Sequence, residues 1–286
     1  MIQIGLRIPG NLSRDMPFNE FAGWCKETGF DSIDLNRADA DAVQTLHASG
    51  LTLGTIDLSG TQALLSPDAT EREQGVEAVC KTLADIHAVG GDKAFVVFFP
   101  KNSRQSRLDS FENWKLSFPA VLAEAERLGV RLALEGWPGP DDSALGVTPE
   151  TLRAMFAAFP SENFGVNYDP SHLVRVGVDH LRFLDEFAGQ VIHAHGKDTV
   201  IDAEGRYRYG TLGTTFDKSP GFGSGDWRYC IPGEGTVNWA NVCGRLHRAG
   251  YNGVLSLELE DMRYNGTAEG EKRGLTRARE FLTPYL

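Results

Sequence analysis

The chain predicts an α/β fold, a single (β/α)8 barrel that takes in all of residues 1–286. Eight short apolar runs of strand length alternate with amphipathic helical patterns from one end to the other. No linker interrupts the alternation. Four of the runs also end in, or lead directly into, a carboxylate or an imidazole, and a parallel barrel gathers its strand ends on one face. A doubly wound sheet fits less well, since it usually has fewer strands and no G-x-G-x-x-G follows the first one.

The first strand reads as Ile2–Leu6, the second as Ser32–Leu35, the third as Thr52–Leu58 and the fourth as Ala94–Phe99. Gly29 and Gly50 stop the helices ahead of the second and third strands, because glycine just past a helix end takes the left-handed conformation without steric cost. Val76, Val79, Cys80, Leu83 and Ile86 recur at helical spacing before the fourth strand. Val121, Leu122, Ala125 and Leu128, closed by Gly129, lead into a fifth strand at Arg131–Glu135. Leu152, Met155, Phe156 and Phe159 mark the helix before the sixth, Gly165–Tyr168. The seventh is Val191–His195, and the eighth, Val254–Glu258, follows Gly250. A last helix carrying Leu275, Ala278, Phe281 and Leu282 closes the ring.

One stretch breaks this rhythm. A long loop after the seventh strand, residues 199–237, is rich in Gly, Tyr and Arg. Loops of that length in a compact domain are usually functional or disordered. It leaves the strand bearing His195, so an ordered substrate lid is the favoured reading. An oligomer contact competes with it, since Trp227 and Tyr229 would serve either purpose.

The strand ends carry the chemistry. Glu135 and Glu258 lie on separated strands and could approach one ligand from different sides, one taking a proton from a carbon acid and the other returning it. Asp169 opens a D-P-S-H turn with His172, which reads either as a ligand and its neighbour over one pocket or as a local turn that caps a helix. His193 and His195 point to the same side of their strand by alternation. A set of carboxylates and imidazole suits one divalent metal ion, Mn²⁺, Mg²⁺ or Co²⁺ rather than a thiolate-type zinc site, with Zn²⁺ on these same ligands also within range. Lys197 and Asp198 either orient the ligand or form a solvated turn. Arg228 either binds a substrate oxygen or holds the loop by an internal salt bridge. Trp137 either stacks on a sugar ring or packs beneath the barrel rim.

The balance of 28 basic and 39 acidic residues, a formal charge of −11, argues against a nucleic-acid partner. No apolar run approaches membrane-spanning length. The strand at Ile2–Leu6 leaves no room for a signal peptide. The four cysteines form no C-x-x-C pair or disulfide framework, and Cys25 and Cys80 in helical segments read as buried thiols. A reducing cytoplasm is the expected setting.

L-A-L-E (132–135), Y-D-P-S-H (168–172), H-A-H-G-K-D-T (193–199), R-Y-C-I-P-G-E-G-T-V-N-W (228–239) and L-S-L-E-L-E-D (255–261) together resemble the xylose isomerase-like TIM-barrel superfamily over nearly the whole chain. That group contains sugar and sugar-phosphate isomerases and epimerases, and endonuclease IV. The resemblance implies Glu135, Asp169, His195 and Glu258 as metal ligands, with Glu135 and Glu258 doubling as the acid/base pair. It also implies a substrate contact for His172. Endonuclease IV has additional histidine ligands, but the third and fourth strand ends here carry none, and Arg228 stands where an Asp-x-His pair would end. The expected activity is metal-dependent isomerisation or epimerisation of a keto-sugar or sugar derivative through an enediolate. A lyase or dehydratase on a keto-inositol or keto-glycoside is the alternative, and a non-catalytic sugar-binding subunit a third. The expected partner is a small sugar, with a homo-oligomer left open.

Overall fold

Parallel strands rich in Ile, Leu, Val and Ala close a complete ring in a computed structural model that describes residues 1–139 and 143–286. The strands are β1 (Gln3–Arg7), β2 (Ser32–Leu35), β3 (Thr52–Asp57), β4 (Lys93–Val96), β5 (Arg131–Glu135), β6 (Phe164–Tyr168), β7 (Val191–Gly196), β8 (Asp198–Ile201), β9 (Trp227–Cys230) and β10 (Val254–Leu257). Eight of them form a closed barrel in the order β1-β10-β7-β6-β5-β4-β3-β2. The β10–β7 pairing sets Ser256 opposite His195, and the β5–β6 pairing sets Glu135 opposite Asn167. The fold is therefore the (β/α)8 barrel that the sequence predicts.

Several strand ends shift by a residue from the sequence reading, and the changes at the fourth and eighth strands matter most. The fourth strand leaves the ladder after Val96, and Phe98 instead bridges to Leu145 and packs edge-on against Trp114 and Phe118. The eighth ends at Leu257, so Glu258 stands just past the strand. The segment at 199–237 is no plain loop. β8 and β9 pair antiparallel, Asp198 opposite Cys230 and Ile201 opposite Trp227, with a helix at Ala203–Tyr209 between them. The β-branched run Thr199-Val200-Ile201 and the aromatic Trp227-Arg228-Tyr229 are good strand formers, which accounts for the hairpin.

The core lies between barrel and helices. Helix Arg107–Leu128 presents Trp114, which is fully buried and stacks on Phe118 at 4.3 Å between ring centres, with Phe159 edge-on at 5.3 Å. All four cysteines are free. Cys25, Cys230 and Cys243 are buried, and burial raises the Cys243 thiol to about 11 and Cys230 to about 12. Cys80 is half-buried, because its helix turns it toward the seam with the neighbouring helix, where its thiol faces Ala120 O at 4.0 Å. Among the described residues no helix is long and apolar enough to cross a membrane.

Candidate active site

At the C-terminal ends of β5, β6 and β10, oxygens of Glu135, Asp169 and Glu258 and a ring nitrogen of His172 all lie within 4.8 Å of one another. Local structure fixes each side chain. Asp169 caps helix Pro170–Arg175 by accepting the Ser171 N–H at 2.8 Å through Oδ1, which turns Oδ2 toward the centre. One turn into that helix, His172 brings Nε2 to 3.1 Å from Glu135 Oε1 while Nδ1 meets the Tyr229 hydroxyl at 2.7 Å. Asn167 donates to Glu135 Oε2 at 2.7 Å. His195 Nδ1 stands between the two glutamates, 2.8 Å from Glu135 Oε2 and 3.4 Å from Glu258 Oε2.

Two ion pairs brace Glu258. Lys197, fully buried, lays its ammonium against Glu258 Oε2, at 2.9 Å from Glu260 Oε2, 3.3 Å from Asp169 Oδ2 and 3.3 Å from His172 Nε2. The Tyr229 ring covers that ammonium at 4.7 Å. Arg7, from the end of β1, reaches Glu258 Oε1 at 3.3 Å and holds Asp57 through two hydrogen bonds of 2.7 and 2.6 Å. Its guanidinium lies 4.5 Å over Phe95, which stacks on His195 at 5.4 Å.

Beneath this layer Asp34 is fully buried, accepting the Thr55 N–H at 2.7 Å and facing His193 Nε2 at 3.1 Å and His195 Nε2 at 3.9 Å. Residue 54 must be glycine, since a β-carbon there would stand 1.9 Å from Asp34 Oδ1. His193 and His195 do share a side of β7, with their rings at 5.7 Å and His193 one layer deeper.

Burial alone would drive these carboxylates toward neutrality. The Glu258 charge adds to that pressure on Glu135, but His195 and His172 outweigh both and hold Glu135 well below the usual carboxylate range. Glu258 too is held well below that range against burial, by Lys197, His195 and Arg7. His195 is disfavoured as a cation by burial, yet Glu258 and Glu135 raise it to about 10. Lys197 stays charged against burial through Glu258, Glu260, Asp169 and Glu135.

Glu135, Asp169, Glu258 and His172 form a donor set that fits a divalent cation, while His195, expected as the fourth ligand, groups instead with Asp34 and His193. Asp169 Oδ2 and both His195 nitrogens are buried and make no aligned hydrogen bond, although His195 Nδ1 and Glu135 Oε2 are in contact. Carboxylate oxygens and an imidazole nitrogen converging on one centre are what an oxygen-and-imidazole site for a hard ion requires.

Apart from Lys197, the remaining sequence candidates sit away from the carboxylate cluster. Trp137 is half-buried and meets Phe99 edge-on at 5.2 Å. Arg228 lies on β9 and turns toward the Tyr229 carbonyl at 3.4 Å and Asp261 at 3.9 Å, away from the carboxylate cluster. Lys197 and Asp198 form no solvated turn, since both are buried. Asp198 faces away, accepting the backbone N–H groups of Gly233 and Val237 and the Trp239 indole N–H. Arg7, Asp34, Asn167, Glu260 and Tyr229 join the site without having been singled out for it in sequence. Only Glu260 and Tyr229 lie inside quoted motifs; Arg7 and Asp34 had the weaker signal of standing at or beside strand ends.

The fold and this cluster define a parallel-barrel protein whose polar centre sits at the strand ends. The chain belongs to the xylose isomerase-like TIM-barrel family, whose family model matches residues 22–285. It is 34% identical to the uncharacterized protein YfiH of Bacillus subtilis strain 168 over an alignment covering 86% of this chain and 90% of that one. It is 26% identical to inosose dehydratase of Geobacillus thermodenitrificans strain NG80-2, over 59% of this chain and 58% of the relative. In fold it is similar to D-psicose 3-epimerase from Clostridium cellulolyticum H10, solved with D-tagatose, at a TM-score of 0.73 and 16% identity, over 100% of this chain and 99% of the other. A dehydratase thus occurs among its relatives in sequence, and an epimerase among the structures it resembles in fold.

Proposed function

We propose that this protein is a divalent-metal-dependent isomerase or epimerase that moves a proton beside the carbonyl of an uncharged keto-sugar or sugar derivative. The reading rests on one observation above others: Glu135 and Glu258 reach the same centre from β5 and from the end of β10, with His195 Nδ1 between them. Glu135, Asp169, His195 and Glu258 would hold the ion, which when bound supplies Lewis-acid polarisation of the substrate oxygens. The ion pairs that hold both glutamates ionised keep a base ready at neutral pH. One glutamate takes the proton from the carbon beside the carbonyl, and the other, once it has taken up a proton from solvent or a substrate hydroxyl, delivers it to the opposite face of that carbon or to the neighbouring carbon. His172, fixed by Tyr229, and Lys197 would donate hydrogen bonds to substrate hydroxyls, a reading supported by their contacts with Tyr229 beside the carboxylates.

The charge pattern supports an uncharged substrate. Arg7 is the one cation among the described residues lining the cleft that holds Glu258 and Glu260, and it is committed to Asp57 and Glu258. A phosphate brought among these carboxylates would meet side-chain cations already paired, Arg7 with Asp57 and Glu258, and Lys197 with Glu258, Glu260 and Asp169. The four free thiols are in keeping with a reducing, cytoplasmic setting.

A dehydratase is the second reading, favoured by the likeness to inosose dehydratase and by Lys197, an ammonium beside Glu258 and Glu260 that could protonate a departing hydroxyl. The test is incubation of Mn²⁺-loaded protein with keto-sugars and keto-inositols in D₂O. Deuterium entering beside the carbonyl without mass loss supports the isomerase, and loss of water supports the dehydratase. Exchange should vanish in Glu258→Gln, with elemental analysis separating a lost base from a lost ion. A wild-type protein that exchanges no proton of any such substrate rejects the proposal.

A further inference from the structure

Phe222 stands in a backbone conformation that its side chain disfavours. Its φ is 56°, and among the described residues it is the sole non-glycine with positive φ. A β-carbon in this left-handed region crowds the following carbonyl, so bulky residues avoid it and glycine is the ordinary occupant. Here the sequence reads Gly221-Phe222-Gly223, with the aromatic at the strained position. The neighbouring backbone enforces the geometry. Tyr229 N–H donates to the Phe222 carbonyl at 2.8 Å, Ser224 N–H donates to Trp227 O at 3.0 Å, and a β-carbon on residue 223 would lie 2.5 Å from that same Trp227 oxygen.

The strain is not repaid by burial, since Phe222 remains 41% exposed. Instead the residue lines a cleft of about 340 Å³ together with Arg7, Asn11, Glu258, Glu260 and Asn265. The cleft thus runs from the proposed base outward to the loop after β1, with two amide side chains along it. The residue that pins Phe222, Tyr229, also holds His172 through its hydroxyl and covers Lys197 with its ring. Outlying backbone strain kept by its surroundings beside a reactive centre points to function. An aromatic face set among amide and carboxylate groups suits a ring with one apolar side and hydroxyls at its edge.

Building on the proposed sugar chemistry, we propose that Phe222 is a specificity-determining platform, on which a second ring carried by the substrate stacks while the first ring sits at Glu135 and Glu258. The chemical class is an uncharged glycoside or other two-ring sugar derivative rather than a free monosaccharide.

The test uses the methyl and phenyl glycosides of one hexose as binding probes, titrated calorimetrically into full-length Mn²⁺-loaded protein. Neither probe carries a carbonyl, so the outcome does not depend on turnover and survives a failure of the deuterium-exchange experiment. Wild-type protein should prefer the phenyl glycoside. Phe222→Asn, which accepts the left-handed backbone, should weaken phenyl-glycoside binding about tenfold, as expected for exposing roughly one ring face. It should leave methyl-glycoside binding and Tm no lower, and Phe222→Tyr should restore the preference. No preference in wild type, equal losses for both probes, or a Phe222→Asn protein that melts well below wild type would overturn the proposal, the last by showing that Phe222 serves packing.

Discussion

Replacing Lys197 by Met tests whether the ammonium is the counter-charge that lets three carboxylates share a buried site. Lys197 Nζ lies 3.3 Å from Asp169 Oδ2 and 2.9 Å from Glu260 Oε2, and also touches Glu258. With an effective dielectric constant of about 20, the first two contacts are each worth about 5–6 kcal/mol gross. Most of that is offset by the cost of taking the ammonium out of water, because the side chain is only 2% exposed. What the substitution removes is compensation, and leaving such charges unpaired costs about 3–5 kcal/mol. For a chain of this size that is roughly 5–8 °C in Tm.

The assay is differential scanning calorimetry of the chelator-treated protein, repeated with Mn²⁺. A divalent ion brings back the lost positive charge, so the Tm gain on adding Mn²⁺ should be larger in Lys197→Met than in wild type. The deficit should also depend on pH. Lys197 is a chief reason that Glu258 titrates below its unfolded value near 4.5. A depressed carboxylate contributes stability above that value and loses it as pH falls through the folded one. The gap between variant and wild type should therefore be full at neutral pH and narrow below about pH 4.5. Ion-free proteins melting within a degree or two of each other, or equal gains with Mn²⁺, would refute the counter-charge argument.

Two further outcomes are expected. His195, raised to about 10, is a cation near neutral pH in the ion-free protein, so metal ligation must expel its proton. Calorimetric Mn²⁺ titrations in buffers of different ionisation enthalpy should report release of about one proton per ion, and none would remove His195 from the ligand set. Trp114→Ala empties the middle of the Phe98–Phe118–Phe159 cluster and should cost about 3–5 kcal/mol in chemical denaturation, leaving the strand-end chemistry unchanged.

The barrel was legible because its signals are local. Each strand is a short apolar run, several helices end on glycine, and the alternation of the two admits few topologies. The same locality explains the errors. Phe98 is apolar enough to extend the fourth strand on paper, but its packing against Trp114 and Phe118 draws the chain out of the ladder after Val96. The hairpin of β8 and β9 escaped notice because its strands are four residues each and separated by a helix, so neither run carries enough period to stand out.

The candidate site divides along a different line. Glu135, Asp169, His195 and Glu258 could be found because each directly ends or follows its strand, and strand ends converge whatever the helices do. The residues that set their charge could not be found this way. Arg7 reaches Glu258 only because closure makes β1 and β10 neighbours, across 251 positions of sequence. Asp34 meets His193 across the barrel interior, 159 positions away. Lys197 was visible as a residue, but its role follows from four partners that only the closed ring assembles. A strand-end pattern can thus nominate ligands, while the protonation state in which they work is a property of ring closure. Substitutions at Arg7 and Lys197 therefore probe that part of the argument which the spacing of motifs cannot supply.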